Sequence, residues 1–482
     1  MALPRIALAT LLVAAACEDQ PPGRKLASGV AQKLTVHGGA VAFLIDAVHP
    51  DDRAVPEDLT AGDLWLDARK VGSGVASQTG AWEFSSRGEL AFLASWRFRA
   101  GEGELWTAAP GAEPLQVAPA ARSFAWSPDG SALAFVGPSR LGVRGRFAVT
   151  IDGLQEIGWS PDGKRLAARA AASAGGKLYL VDVATGALRE VAPGTSDFAF
   201  ASDGTLAVLG PPPPKGGDRP LLLEGREVAR ATAFAFSPDG KELALLSTQK
   251  QPGEAYGDLY RLARGAGATK PQLVGTRVSD WRWTPAGDLL CLARYDLRAR
   301  AGTLRASGRE IASRVQSFSA FGRRLLYLVQ APQKGDFKLE LWAVDLAGSA
   351  APRKIDEGVY GWDLSPDGEL YYKARCAGGP RSCALLRAPF ASAAQPAVLA
   401  GAVAGFDLSR DGARILVEQP HRGSSRAVDL AVIPATGPPP EHLKLFAEEA
   451  DPSSRFADTS GKRVAYAVVA AGKSGVYLAD FP

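Results

Sequence analysis

Six aspartates recur inside one seven-residue phrase: Asp129 in FAWSPDG, Asp162 in IGWSPDG, Asp203 in FAFASDG, Asp239 in FAFSPDG, Asp367 in WDLSPDG and Asp411 in FDLSRDG. Carboxylates gathered in a ring could shuttle protons or hold a cation. Their spacing argues against that use. Each occupies the same place in a Ser-Pro-Asp-Gly turn, where Asp bonds local backbone and glycine supplies the left-handed residue that follows. Repetition once per unit puts the acids on separate units, so they are read as turn-formers.

The other reactive residue types are sparse. His37, His49, His421 and His442 are the only histidines and fall in the first and tenth repeat units. A metal site needs three or four convergent ligands, so these are read as loop residues, with no metal and no cofactor expected. Gly472-Lys473-Ser474 ends like a phosphate loop, but the earlier glycine that motif requires is Ala467 and no helix follows. GAGATK at 265–270 only half-resembles a dinucleotide fingerprint. Cys376 and Cys383 bracket AGGPRS, a compact loop that a structural disulfide would close, whereas Cys291 in LLCLA reads as a small buried hydrophobe.

Between Arg294 and Arg324 stand eight arginines: Arg294, Arg298, Arg300, Arg305, Arg309, Arg314, Arg323 and Arg324, against Asp296 and Glu310. That local excess suits an anionic partner: a phosphorylated lipid surface, a cell-wall polymer or an acidic protein. A solvated, arginine-rich face is the plainer reading. The whole chain carries only +4 over 482 residues, which argues against a dedicated nucleic-acid binder.

The elements that hold these residues are short strands. In each phrase large apolar residues sit two apart, as with Phe124 and Trp126 or Trp281 and Trp283, which places both on one face of a strand. A tight turn and an apolar return strand follow, as in SALAFVG after Gly130 or KELALLS after Gly240. Weaker copies ending at Gly88, Gly287, Gly322 and Gly461, and an early unit turning near Gly39, bring the count to eleven units. From Gly88 to Gly461 the turn glycines lie about 41 residues apart on average, the period of a four-stranded propeller blade. Third and fourth strands are legible after the hairpin, as in KLYLVDVATGALREVA at 177–192.

The expected fold is therefore all-β: a β-propeller of four-stranded antiparallel blades, each burying its faces against its neighbours. Propellers usually close with about four to eight blades. Eleven units suggest two rings, about six blades over 26–278 and about five over 279–482, divided near Ser279. A strand near 26–33 precedes the first full unit, and the last unit lacks its fourth strand. The early strand completes either that last unit or the first ring.

The N-terminus reads as an export signal over 1–16: Arg5, then an apolar run from Ile6 to Ala16 too short to span a bilayer permanently. Residues 17–25 form a polar, Pro-rich tether. Export suits the candidate disulfide. The chain contains no asparagine, which excludes N-linked glycosylation.

Two resemblances follow from these residues. Val13-Ala14-Ala15-Ala16-Cys17 resembles a bacterial lipoprotein lipobox, which implies a lipid attached to Cys17. Ala14 departs from that pattern, and an ordinary signal peptide cut elsewhere is the alternative. The aromatic-SPDG phrase with its return strand resembles the TolB-type, WD-repeat-like propeller repeat from about residue 30 onward. TolB itself carries a small α/β domain before its propeller, and none fits before a blade that starts near Leu34. Peptidases of the prolyl oligopeptidase type share such a propeller but add a hydrolase domain, and no G-x-S-x-G context occurs here.

The resemblance implies fold and not activity. The expected function is a non-enzymatic, lipid-anchored envelope protein facing the periplasm or cell surface, binding envelope proteins through its loops. The alternatives are an envelope lyase or hydrolase working in the axial channel, and a carbohydrate or small-ligand receptor.

Overall fold

The computed structural model describes residues 21–52, 54–171, 176–214, 216–247, 256–265, 270–331, 338–348, 351–377, 379–392, 394–409, 411–424, 427–438, 440–457, 462–470 and 472–480. Among these residues the chain is all-β, without a helix. Seven sheets have four strands and two have seven, and every pairing is antiparallel between sequence neighbours except one. That one joins Arg24–Ser28 to Gly475–Asp480, linking the two ends of the described chain.

Each seven-stranded sheet is two units run together. Arg309–Phe321 serves first as the last strand of one unit and then as the first strand of the next, and Leu445–Ala457 does the same. Counted this way, units 1 to 11 span 31–76, 82–121, 123–150, 154–193, 197–231, 233–278, 280–315, 315–357, 362–403, 405–450 and 450–480, the last completed by Arg24–Ser28. Strands within a unit are lettered a to d in chain order, with Arg24–Ser28 as strand d of unit 11. The a–b and c–d connections lie at one end of each sheet, the turn end. The b–c connections and the links to the next unit lie at the far end.

The turn phrase works through its serine as much as its aspartate. Ser160 is fully buried and its Oγ donates to Asp162 (2.6 Å) while accepting the amide of Arg165 (2.9 Å). Gly163 closes the turn at φ 66°, in the left-handed region that favours glycine. Ser127, Ser237, Ser365 and Ser409 repeat the arrangement. Where the aspartate is missing the hydroxyl persists: Thr284 is buried and accepts the amide of Asp288. The bond from Ser160, followed by the amide of Lys164, holds Asp162 below the usual carboxylate range.

Strand b of each unit is covered on both faces. In unit 4, Leu166 and Ala168 pack toward unit 3, while Ala167 packs toward unit 5. Strand a is a sheet edge, and edge carbonyls need partners. The next unit supplies them: the indole nitrogens of Trp126, Trp159 and Trp283 donate to the carbonyls of Glu83, Ala125 and Ala235, each in strand a of the preceding unit.

Packing runs across the boundary expected near Ser279. Ala244, Leu259, Val274 and Val278 share one cluster with Leu289, Cys291 and Ala293. Another cluster joins the chain ends, Leu34, Val36, Val41 and Phe43 meeting Ala465, Val476 and Leu478. The early strand thus supplies the missing fourth strand of unit 11.

Replacing the buried turn hydroxyl should be costly. Ser160→Ala is expected to lower stability by about 1–3 kcal/mol in urea denaturation, because the amide of Arg165 loses its partner and Asp162 keeps only the amide of Lys164. Asp162→Ala should cost less. The reverse ranking would show that the hydroxyl is not the anchor.

Candidate functional site

At the centre of strand a the repeat prefers small residues: Ala125, Gly158, Ala199 and Ala235 in units 3 to 6. A neighbouring ring occupies the space beside them, and a Cβ at Gly158 would lie 2.8 Å from Phe198. Units 2, 7, 9 and 10 break the rule: Glu83 and Arg282 in units 2 and 7 are exposed, whereas Asp363 and Asp407 in units 9 and 10, in the matching strings GWDL and GFDL, are half-buried. Burial first, then the charge of Asp407, raises the Asp363 carboxyl above its ordinary value. Its Oδ1 accepts the amide of Leu364 at 2.7 Å.

Two more charges stand behind these acids. Lys373 and Glu418, from strands b of units 9 and 10, are both buried. The Lys373 ammonium donates to the carbonyls of Ala404 and Pro380. A glycine stands opposite each, and at Gly405 it makes room, since a Cβ there would overlap the carboxylate of Glu418. The disulfide Cys376–Cys383 closes the b–c loop that presents Pro380, so the covalent staple also steadies the lysine's partner. Buried charge of both signs in an otherwise apolar repeat is the mark of a built polar site at the far end of units 9 and 10.

A second polar cluster lies at the same end of unit 10. His421 Nδ1 sits 2.7 Å from Asp429 and its Nε2 3.4 Å from Glu449, which holds a left-handed backbone at φ 51°. This arrangement fixes the imidazole between two carboxylates. The other histidines are elsewhere: His37 stacks on Phe84 at 5.5 Å, His49 lies near the carbonyl of Val55, and His442 is exposed. The structure therefore does not bring the four together, and among the described residues no group of three or more His, Cys, Asp or Glu is placed so that it could hold a metal ion.

The arginines split between the two ends. Arg294, Arg298, Arg300 and Arg314 stand at the far end of unit 7, whereas Arg305 and Arg309 flank its c–d turn at the other. The turn acids lie at the turn end, as do cavities of about 420 Å³ beside Arg414 and Ile433 and of about 330 Å³ beside Phe135 and Arg144, away from the charged cluster. Burial pushes the Cys291 thiol up to about 12, so it is no nucleophile near neutral pH. Cys17 lies outside the described residues.

No family model matches the chain, and no curated protein matches it. Among solved structures it is similar to the crystal structure of the eukaryotic initiation factor, 14% identical over 76% of this chain and 97% of that one, with a TM-score of 0.42. It is also similar to dihydro-heme d1 dehydrogenase NirN in complex with DHE (16% identical, 64% and 72% covered, TM-score 0.29) and to the tricorn protease (12% identical, 91% and 46% covered, TM-score 0.29). Scores this low carry nothing about activity.

The sequence reading passed over Asp363, Asp407, Lys373 and Glu418. The signal was the shorter aspartate, twice, between two large apolar residues where units 3 to 6 carry Ala or Gly. A carboxyl whose folded pKa is raised favours the folded state while protonated and opposes it once ionised, so its penalty appears as pH rises through the folded value. Asp363→Asn keeps the acceptor for Leu364 and should raise the urea midpoint at pH 7 while changing it little at pH 3. A loss of stability at pH 7 would show that the ionised carboxylate is a net stabiliser.

Proposed function

We propose that the protein is a lipid-anchored β-propeller of the bacterial cell envelope, of the TolB-like repeat type, that holds an envelope protein on its far end and carries out no chemistry of its own. On this reading the eleven units form one ring and not rings of six and five. What supports it is the pairing of Arg24–Ser28 with Gly475–Asp480, together with a cluster between units 1 and 11. Two rings would place unit 1 against unit 6 and unit 7 against unit 11, and no hydrophobic cluster among the described residues combines those pairs. The anchor residue, Cys17, stands seven positions before the closing strand, so the membrane tether would pull directly on the closure.

A rigid ring positions its loops, and loops carry recognition. The far end is favoured as the binding end because the disulfide-closed loop, the His421 cluster and four of the unit 7 arginines, Arg294, Arg298, Arg300 and Arg314, lie there. A second reading is an envelope lyase or hydrolase, which Asp363 favours: burial and then the charge of Asp407 raise its carboxyl above its ordinary value, as suits a general acid beside a second carboxylate.

Two experiments test the first reading. Cys17→Ser should abolish incorporation of an alkynyl fatty acid in cells and move the protein from the membrane to the soluble fraction. Unchanged labelling and fractionation would remove the anchor. Closure is tested at Gly23, where φ is 93° and a Cβ would lie 2.4 Å from the carbonyl oxygen of Leu478. Gly23→Val should lower amide-exchange protection in units 1 and 11 together. Loss confined to Gly475–Asp480 would make the early strand a local addition and not a ring closure.

A further inference from the structure

The b–c loops of units 2 and 7 are near-copies with opposite electrostatics. SWRFRAGEG at 95–103 aligns without gaps with RYDLRARAG at 294–302, and the left-handed residues fall at equal places: Ser95 and Gly101 in one, Arg294 and Arg300 in the other. In unit 2 the arginines are neutralised. Arg97 meets Glu102 at 2.8 Å, and Arg99 grips Asp52 at 2.6 Å. The apolar apex of that loop, Phe98, is half-buried.

Unit 7 reverses each feature. The place of Glu102 is taken by Ala301, the place of Gly101 by Arg300, and the apex Leu297 is 63% exposed. Strand register brings Arg314 beside this loop, since Gly302 pairs with Val315, and Arg277 of unit 6 donates to the carbonyl of Tyr295 at 3.1 Å. Arg277, Arg294, Arg298, Arg300 and Arg314 are all exposed, and none forms an ion pair among the described residues. Asp296, in the place of Arg97, accepts the amides of Ala299 and Arg298 and is held below its ordinary value by them and then by the charges of Arg277 and Arg298, so it offsets one of the five; Asp258 accepts the amide of Arg277, and Asp280 pairs with Arg282. Buried Gln330 donates to the carbonyl of Ala299 at 2.7 Å, which fixes the loop from behind.

The repeat itself demands left-handed residues at these sites. Elsewhere it fills them with Asp46, Ser95, Gly74, Gly101, Ala402, Glu449 or Arg375, and that one arginine faces Asp356 at 3.5 Å. Around unit 7 all four such positions, 277, 294, 300 and 314, carry arginine. The result is a tip with an exposed leucine at its apex and five exposed arginines in the loop and on the strands beside it, against the one carboxylate of Asp296. A protein pocket recognises through concavity. An exposed apolar residue among cations matches a bilayer surface, where the side chain enters the acyl boundary and the cations stay among anionic headgroups.

We propose that the far-end tip of unit 7, Leu297 with Arg277, Arg294, Arg298, Arg300 and Arg314, docks onto anionic lipid headgroups and orients the protein on the membrane. The proposal rests on the envelope location inferred above, but its contacts are independent of the lipid on Cys17.

The test uses the full chain carrying Cys17→Ser, so that no acyl chain contributes, in co-sedimentation with vesicles of phosphatidylglycerol and phosphatidylcholine or of phosphatidylcholine alone. Partitioning should be at least tenfold stronger on the anionic vesicles and should weaken with salt. Arg298→Glu with Arg300→Glu should reduce it by at least about tenfold, from the usual gain per basic residue at an anionic surface. Leu297→Ser should reduce it about threefold or more at unchanged salt dependence. Matched thermal melts establish that the variants are folded. Equal binding to both vesicle types overturns the proposal. So does an arginine effect with no effect of Leu297→Ser, which would reassign the tip to a soluble anionic partner such as an acidic protein. Fractionation of Cys17→Ser in cells reports on the anchor alone, so the two readings fail separately.

Discussion

A sheet that is apolar on both faces is insoluble until both are covered. Strand b of every unit is of this kind: Leu166, Ala167 and Ala168 are wholly buried, and so are Ile415 and Val417. Each unit therefore needs two neighbours, and a linear stack would leave one face bare at each end. Here the first and last units cover each other, with Phe43 and Val41 against Ala465 and Val476. The short strand Arg24–Ser28 adds backbone pairing to that contact. Tyr466 strengthens it, donating to the carbonyl of Pro22 at 2.6 Å. Everything else in the fold, including the places where polar groups can be tolerated, is subordinate to this demand for coverage.

Within a unit the demand is met by devices that work over a few residues. The turn hydroxyl satisfies a strand amide and aligns an aspartate, so the hairpin closes without exposing backbone to an apolar neighbour. Between units the indole of strand a caps the carbonyl of the preceding edge. Arginine adds a third link: Arg144 grips both oxygens of Glu89 in unit 2 while lying over the ring of Trp126 in its own unit. Such pairs are half-exposed and contribute little individually. Their service is to fix how one sheet sits on the next.

The strands, the turns and the unit count were legible because each depends on residues close in sequence. Phe124 and Trp126 two apart, or Gly130 after Asp129, carry their own local instruction. Three things were not legible. The partner of Arg24–Ser28 lies more than 440 residues away, and spacing alone could not choose between the two places it might pair. The arginines between 294 and 324 looked like one patch. In an antiparallel sheet the chain reverses every few residues, so Arg300 and Arg305, near in sequence, sit at opposite ends. The acids Asp363 and Asp407 each stand four residues before a turn aspartate, inside the repeated phrase, and only their burial in the fold separates them from ordinary surface carboxylates.

That contrast between what the repeat needs and what two or three units carry is the best guide to where function lies. Units 3 to 6 show that Ala or Gly at the centre of strand a suffices for packing. Placing Asp363, Lys373 and Glu418 in such surroundings costs free energy that hydrophobic residues would not. Unit 2 likewise shows that a b–c loop can be built with its arginines paired and its apex tucked in, whereas unit 7 leaves both open. Neither departure improves the fold, and Lys373, Glu418 and the unit 7 tip sit toward the far end, where loops vary and the turns do not. The turn end is uniform because it closes hairpins. The far end is free to differ, and it is there that the chain spends stability on charge.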